Sequence, residues 1–303
     1  MEFAVPLSSP FSLEHTLASG QTFRWSMRGD WWCGVVGGEV LKVRQEGDIL
    51  KCVSSSDAVG ASWVSDYFRL DEDLEHVLAS ISRDEAITRA VERFYGLRLI
   101  RQDRWECLAS FVLATNANIP RIAKMVEAVC AKYGEAFEFE GEVYHRFPRP
   151  QALADSRVSA LRGCGLGYRA PFLKKVAASV AKGDVDFGAV ASLPYEESRR
   201  LLLRELFGEK VLLGVGPKVA DCVLLYSCGK DESFPIDVWI ARALARSYPW
   251  LIGSSLMARL KRDGKVRLAA GDYAKLSASV RGYFGEYAGY AQQYLFMAIR
   301  SEA

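Results

Sequence analysis

A chain of 303 residues, half of them hydrophobic, is long enough to bury a large core and fits one large domain or two to three smaller ones. Lys plus Arg (39) barely exceeds Asp plus Glu (37), so a formal charge of +2 gives little support for binding nucleic acid through a broad basic surface. The opening MEFAVPLSSPFSLEH has no basic lead before a long apolar stretch, and no apolar run approaches membrane-spanning length, which argues against a secretory signal and a membrane span. The seven cysteines (33, 52, 107, 130, 164, 222 and 228) are scattered and form no pair at metal-ligand spacing. They read as reduced thiols of an intracellular protein, in the cytoplasm or nucleoid, or in a nucleus.

Residues from about 20 to 55 read as antiparallel strands. FRWSMRGDWWCGVV and EVLKVRQEGDILKCV are rich in aromatic and β-branched residues and are broken by turn signals at Gly37-Gly38 and Glu46-Gly47-Asp48. From Asp71 the spacing turns helical, with Leu74, Val77, Leu78 and Ile81 on one face, then Ile87, Val91 and Phe94 on another. Helices are expected over 105–115, 120–133 and 171–181, then over 196–207, 218–227 and 237–246, and finally over 273–284 and 286–300. Between them, 136–150 (with EFEGEVYHRFPRP) is polar, aromatic and Pro-punctuated and reads as a long connection between helical subdomains. The expected fold is α+β but mostly α: an N-terminal β-rich domain over 1–85 with an antiparallel sheet layer, followed over 86–303 by two helical subdomains with a cleft between them.

The most informative string is Leu213-Gly214-Val215-Gly216-Pro217-Lys218-Val219-Ala220-Asp221-Cys222, lying between two helical patterns. Two glycines two apart permit a tight turn, and Pro217 suits the first turn of the helix that follows. Free amides at such a helix start can hold a phosphate without a cluster of basic side chains. A nearly neutral chain could bind DNA in this way. An isolated GxG, taken alone, reads better as a plain helix-to-helix turn with no ligand, and the flanking residues change that balance. Asp237, before Val238-Trp239-Ile240, reads by itself as a helix N-cap.

LLGVGPKVADC followed by FPIDV resembles the helix-hairpin-helix and downstream acid of base-excision DNA glycosylases, most closely those for 8-oxoguanine. The resemblance runs in order through LASGQTFRW (17–25), LIRQDRWECL (99–108), GLGYRA (165–170) and YAGYAQ (287–292), and so covers nearly the whole chain. It implies a DNA glycosylase/AP lyase of base excision repair, in which Lys218 attacks C1′ of the nucleotide and Asp237 stabilises the charge that builds on the sugar. An amine attacks only when neutral, a form that burial and a helix N-terminus both favour. The resemblance further implies that Phe296 and Cys222 sandwich the flipped base, that Gln292 bonds its Watson-Crick edge, and that the Gly20 carbonyl accepts the N7–H that guanine gains on oxidation. Asn116, Tyr168, Arg121 and Arg169 would fill the gap in the duplex and check the opposite cytosine, while Gly214, Gly216 and Val219 would hold phosphate at the hairpin.

Two departures stand out. Trp239 replaces the histidine common near the DNA backbone, and Ala117 interrupts a usual run of three asparagines, which bears on strictness toward cytosine. The expected partner is duplex DNA containing 8-oxoguanine, bound by a monomer without cofactor. A structural monovalent or calcium ion at the hairpin is compatible with the superfamily. An iron-sulfur glycosylase would need four clustered cysteines after the acid, and none follows Cys228. A monofunctional glycosylase for alkylated bases usually lacks the lysine. A glycosylase for another damaged purine and a non-catalytic hairpin DNA-binding module both stay open. The residues taken singly have plain readings too: core packing for Phe296 and Cys222, a turn for Gly20, a phosphate contact for Lys218.

Overall fold

A computed structural model describes residues 1–207, 216–263 and 268–302. The chain opens with strand β1 (Glu2–Pro6) and helix α1 (Leu13–Ala18), then runs through β2 (Trp25–Arg28), β3 (Trp31–Val36), β4 (Glu39–Glu46) and β5 (Ile49–Ser54). These form one antiparallel sheet in the order β1-β5-β4-β3-β2. Two of its hairpins turn at the Gly-rich sites expected from the sequence. Strand β1 lies outside the expected strand region: it is a five-residue edge ending in Pro6, with a single buried residue, Val5, opposite Leu50. On one face Leu41, Val43, Leu50 and Cys52 pack against Val64, Tyr67 and Phe68 from α2 (Ala61–Tyr67) and its C-terminal end. Helix α2 carries no local start signal, since it begins at Gly60 with no side-chain cap.

The remaining helices are α3 (Leu74–Ile81), α4 (Glu85–Arg93), α5 (Arg104–Leu113), α6 (Ile119–Tyr133), α7 (Pro150–Asp155), α8 (Val158–Leu161), α9 (Ala170–Ala181), α10 (Phe187–Ser192), α11 (Tyr195–Phe207), α12 (Pro217–Ser227), α13 (Val238–Ser247), α14 (Ser254–Asp263), α15 (Ala270–Phe284) and α16 (Ala288–Ser301). Many start on an Asp or Asn whose side chain accepts an amide of the first turn, as Asp73, Asp84, Asp103, Asn118 and Asp186 do. All four apolar residues expected on one face of α3 are buried. One group of helices packs around α5 and α9, another around α16, and α12 touches members of both.

The segment 136–150 is not the plain connection expected of it. It folds into a hairpin of β6 (Ala136–Phe139) and β7 (Glu142–His145), turning through Glu140 and Gly141 at positive φ. Its aromatic residues decide this: Phe137 and Tyr144 pair across the strands and cover Val35 and Val40 on the outer face of the sheet. The seven cysteines are free and buried. Among the described residues no helix is long and apolar enough to cross a membrane.

Sheet and helices are joined by two buried arginines. Arg98 has a fully buried guanidinium that donates to the carbonyls of Pro10 (3.1 Å), Glu72 (3.1 Å) and Arg69, and to the Ser9 hydroxyl. Arg69 in turn pairs with Asp231 (2.7 Å) and Glu72 (3.1 Å), and Tyr290 of α16 donates to the same Glu72 (2.8 Å). Arg98→Met should therefore strand several buried acceptors. Each costs about 1–3 kcal/mol, and urea unfolding should report at least one such loss; an unchanged midpoint would mean that water reaches these carbonyls.

Candidate active site

Helix α12 begins behind Gly216, whose backbone is extended (φ −164°, ψ −154°), and no side chain caps it. Lys218 is its second residue. The Lys218 Nζ stands 4.8 Å from the centroid of the Phe111 ring, over its face. That ring is fixed in turn by stacking on Tyr226 (5.4 Å, 14°) and by the edge-on Phe23 (5.5 Å). The platform under the amine thus comes from α5, α12 and the segment just after Gly20. One turn beyond Lys218, Cys222 is buried, and burial pushes its thiol up to about 12, against the opposing influence of Lys218.

Asp237 caps α13, its Oδ1 accepting the Ile240 amide at 2.8 Å. Burial raises its carboxyl above the usual carboxylate range. The Lys218 charge is the largest influence opposing that rise, followed by the Ile240 and Trp239 amides and by Arg300. The cap is therefore also a carboxylate within electrostatic reach of the lysine.

The distance between α12 and α13 rests on Asp221. Its buried carboxylate accepts from Tyr195 (2.9 Å), Arg199 (2.9 Å) and Tyr273 (2.6 Å), and its carbonyl accepts from Ser233 (2.8 Å). The Tyr273 hydroxyl also accepts the Ile236 amide (3.1 Å), one residue before Asp237. One carboxylate thereby ties α11, α12, α15 and the approach to Asp237 together.

Gly20 adopts φ +80°, and a Cβ there would lie 2.4 Å from Cδ1 of Ile119. The left-handed backbone favours glycine here, and any side chain would also have to displace the end of Ile119. The loop around it is buried, and side-chain amides supply its donors. Gln21 donates to the carbonyls of Thr16 (3.1 Å) and Arg98 (2.9 Å) and accepts from the Ile100 amide (2.9 Å). Gln102 donates to the Gln21 carbonyl (2.7 Å), and Gln293 to that of Ser19 (3.0 Å). Gln293 is set by the Tyr226 hydroxyl (2.6 Å). On α16 the buried Gln292 and the half-buried Phe296, four residues apart, share one helix face.

Ile119 leads from Gly20 to the 116–121 loop. Asn116 is exposed, with φ +51°, and donates to the Tyr168 hydroxyl (3.2 Å), which donates to the Thr115 carbonyl (3.1 Å). Arg169 is turned inward and almost fully buried, its guanidinium donating to the carbonyls of Thr115 (2.8 Å) and Asn116 (3.0 Å) and lying over the Tyr168 ring. Arg121 is exposed, and its charge reaches Arg169. Trp239 is half-buried, with the Arg242 guanidinium 5.2 Å over its ring.

The structure thus gathers Lys218, Asp237 and Cys222 around one platform, sets the Gly20 loop against α16 through Ser19 and Gln293, and joins Asn116 to Tyr168 and Arg169. At the hairpin, Val219 donates its amide to the Gly216 carbonyl (3.0 Å). Gly214 lies outside the described residues, as does most of the hairpin at which a structural cation is compatible with the superfamily. Sequence reading missed Phe111, Asp221, Gln293 and Arg300, whose parts depend on packing alone. It also passed over Gln21 and Gln102, although both sit inside strings that carry the family resemblance.

The family model for the 8-oxoguanine DNA glycosylase N-terminal domain matches residues 4–108, and that for the HhH-GPD superfamily of base excision DNA repair proteins matches 109–255. The chain is 30% identical to a probable N-glycosylase/DNA lyase of Methanothermobacter thermautotrophicus, over 94% of this chain and 92% of that one. It is 30% identical to the N-glycosylase/DNA lyase OGG1 of Arabidopsis thaliana, over 95% of this chain and 77% of that one. It superimposes with a TM-score of 0.83, at 29% identity, on the Clostridium acetobutylicum 8-oxoguanine glycosylase/lyase solved with double-stranded DNA containing cytosine opposite 8-oxoG, covering 96% and 92% of the two chains.

Gly20→Ala should destabilise the fold by about 1–3 kcal/mol from the strained backbone, plus the clash with Ile119. Adding Ile119→Ala should remove the clash and leave the strain. Melting temperatures of the two variants test this, and a Gly20→Ala penalty that is the same with and without Ile119→Ala would mean that Ile119 does not press on this position.

Proposed function

The chain belongs to the 8-oxoguanine DNA glycosylase/lyase family of the HhH-GPD superfamily of base excision DNA repair proteins, and from that premise we propose that it excises 8-oxoguanine from duplex DNA, preferring cytosine opposite, by attack of Lys218 on the sugar. The observation that carries this reading is the Lys218 amine held over Phe111 at the start of α12, with Asp237 in electrostatic reach.

The target nucleotide must first leave the stack, at a cost of a few kcal/mol. Stacking between Phe296 and Cys222 offsets about 1–3 kcal/mol of it. Cys222 suits that part: a thiol pushed up to about 12 is uncharged at neutral pH and does not compete with the lysine as a nucleophile. The Gly20 carbonyl accepts N7–H of the oxidised base and repels the bare N7 of guanine, a difference of roughly 1–3 kcal/mol. Gln292 takes the Watson-Crick edge. As the C1′–N9 bond breaks, its electron pair leaves with the base, and the Asp237 carboxylate stabilises the positive charge on the sugar. The Lys218 nitrogen bonds C1′ and the ring opens to an imine. Loss of a C2′ proton then expels the 3′ phosphate and cuts the strand.

On the duplex side, Asn116, Tyr168 and Arg121 reach toward the opposite base, with Arg121 able to donate to the free acceptors of cytosine. Arg169 serves them by fixing the loop carbonyls. That the Clostridium acetobutylicum glycosylase/lyase was solved with cytosine opposite 8-oxoG supports cytosine as the opposite base here. Phosphate at the hairpin is held by backbone around Gly214 and Gly216, an arrangement that needs no histidine at the position of Trp239.

Borohydride should trap the wild-type chain on a duplex carrying 8-oxoguanine opposite cytosine and not on its undamaged counterpart. Lys218→Gln should abolish trapping, base release and strand cutting while duplex binding survives; loss of binding to the same degree would mark Lys218 as a phosphate contact instead. Because burial raises the Asp237 carboxyl, falling pH removes its charge above the ordinary Asp value of about 3.9. Base release should therefore fall off on the acid side above that pH. Asp237→Asn should slow release by on the order of 10²–10³-fold and flatten that limb, and an acid limb that persists in the variant would assign it to another group.

A further inference from the structure

The face that Gln292 and Phe296 share on α16 continues to Arg300, four residues beyond Phe296. No sequence motif draws attention to it. Its guanidinium carbon stands 5.1 Å from the centroid of the Phe296 ring, over the ring face. Its Nη1 lies 3.4 Å from the point where a Cβ on Gly20 would stand. That nitrogen is buried and has no hydrogen-bond partner. The Asp237 charge reaches the same guanidinium, opposing the effect of its burial. A charged group with an unsatisfied donor therefore sits among the three residues to which the reading above gives the N7 contact, the stacking and the charge stabilisation. Buried donors without acceptors are rare and costly, and at a binding site they mark a partner that arrives with the ligand.

We propose that Arg300 is a specificity-determining residue whose Nη1–H donates to the carbonyl oxygen at C8 of the flipped base while the Gly20 carbonyl accepts N7–H. The proposal rests on the assignment of Gly20 and Phe296 to the base pocket. Oxidation of guanine at C8 creates a donor and an acceptor on adjacent positions, N7–H and O8. A carbonyl acceptor and a guanidinium donor beside one another form the complementary pair. Undamaged guanine offers this pair a bare lone pair at N7 and a C–H at C8, so both contacts fail together. With both groups present, the lesion is read twice along one edge, which is stronger discrimination than a single carbonyl provides.

The test uses the full chain and Arg300→Leu, with single-turnover rates on two duplexes. One carries 8-oxoguanine opposite cytosine. The other carries a preformed abasic site, which has no base to contact. Arg300→Leu should slow base release from the first by on the order of 10–100-fold, the effect of a hydrogen bond from a charged donor. Strand cutting on the second should stay within about twofold, and this also reports an intact fold. Duplex affinity should fall by the same factor for 8-oxoguanine and for 8-oxo-2-aminopurine, which keeps O8 and N7–H but has no O6. Equal slowing on both duplexes would mean that Arg300 acts through Asp237, and no slowing on the first would mean that it makes no contact with the base. An affinity penalty that disappears with 8-oxo-2-aminopurine would move the contact to O6. Each of these three outcomes overturns the proposal. A wild-type chain that releases no 8-oxoguanine yet cuts the abasic duplex would instead overturn the base assignment on which it rests.

Discussion

A buried loop needs donors for its carbonyls, because neither water nor a neighbouring strand is there to provide them. The turn through Ser19, Gly20 and Gln21 obtains them from the side-chain amides of Gln102, on the Gln21 carbonyl, and Gln293, on that of Ser19, while the Gln21 amide ties the turn to the carbonyls of Thr16 and Arg98. Much of the rest of the site depends on this. These amides come from the stretch leading into α5 and from α16, so the turn is satisfied only when both segments are in register with it. Once they are, Ile119 and Arg300 both stand beside Gly20, within 3.4 Å of where its Cβ would be. The Gly20 turn, the 116–121 loop and the last helix are thereby brought to one point.

The second half of the site has its own anchor. Asp221 has its carboxylate fully buried among three donors, and one of them, Tyr273, passes the link on to Ile236. Burial raises this carboxyl while Arg199 and the two tyrosines oppose the rise, and removing one partner would leave a buried polar group unsatisfied. The arrangement fixes α12 relative to α13, and hence Lys218 relative to Asp237, from behind. The starts of the two helices are thus held by groups packed in the core between them.

Charge is placed locally in this protein, which explains how a chain of formal charge +2 can serve a polyanion. Burial raises the Asp237 carboxyl, and Lys218, two amides and Arg300 oppose that rise. At the start of α12 no side chain caps the helix, and free amides at such a start favour an anion without any basic side chain. Arg169 commits its guanidinium to two loop carbonyls, leaving Arg121 as the exposed cation beside it. Two arginines close enough for their charges to interact thus take different parts, and burial alone separates them.

The sequence by itself determined the order of most elements and the family to which the chain belongs. Period-two and helical spacing marked the central strands and most helices, and the Gly-Val-Gly-Pro-Lys string with the FPIDV that follows carried the family resemblance. These signals are local, written in turn residues, caps and apolar periodicity. Where the local signal is weak, the reading fails: β1 and α2 leave no pattern to find, and 136–150 reads as a connection because its aromatic residues gain their meaning only when Phe137 and Tyr144 cover Val35 and Val40. Only the tertiary structure decided which residues meet. Phe111 under Lys218, Gln293 on Ser19 and Arg300 beside Gly20 are separated by 107, 274 and 280 positions, and no periodicity reports a contact at such range. Such pairings are set by how the apolar faces of whole helices pack, so they exist only once the core has formed.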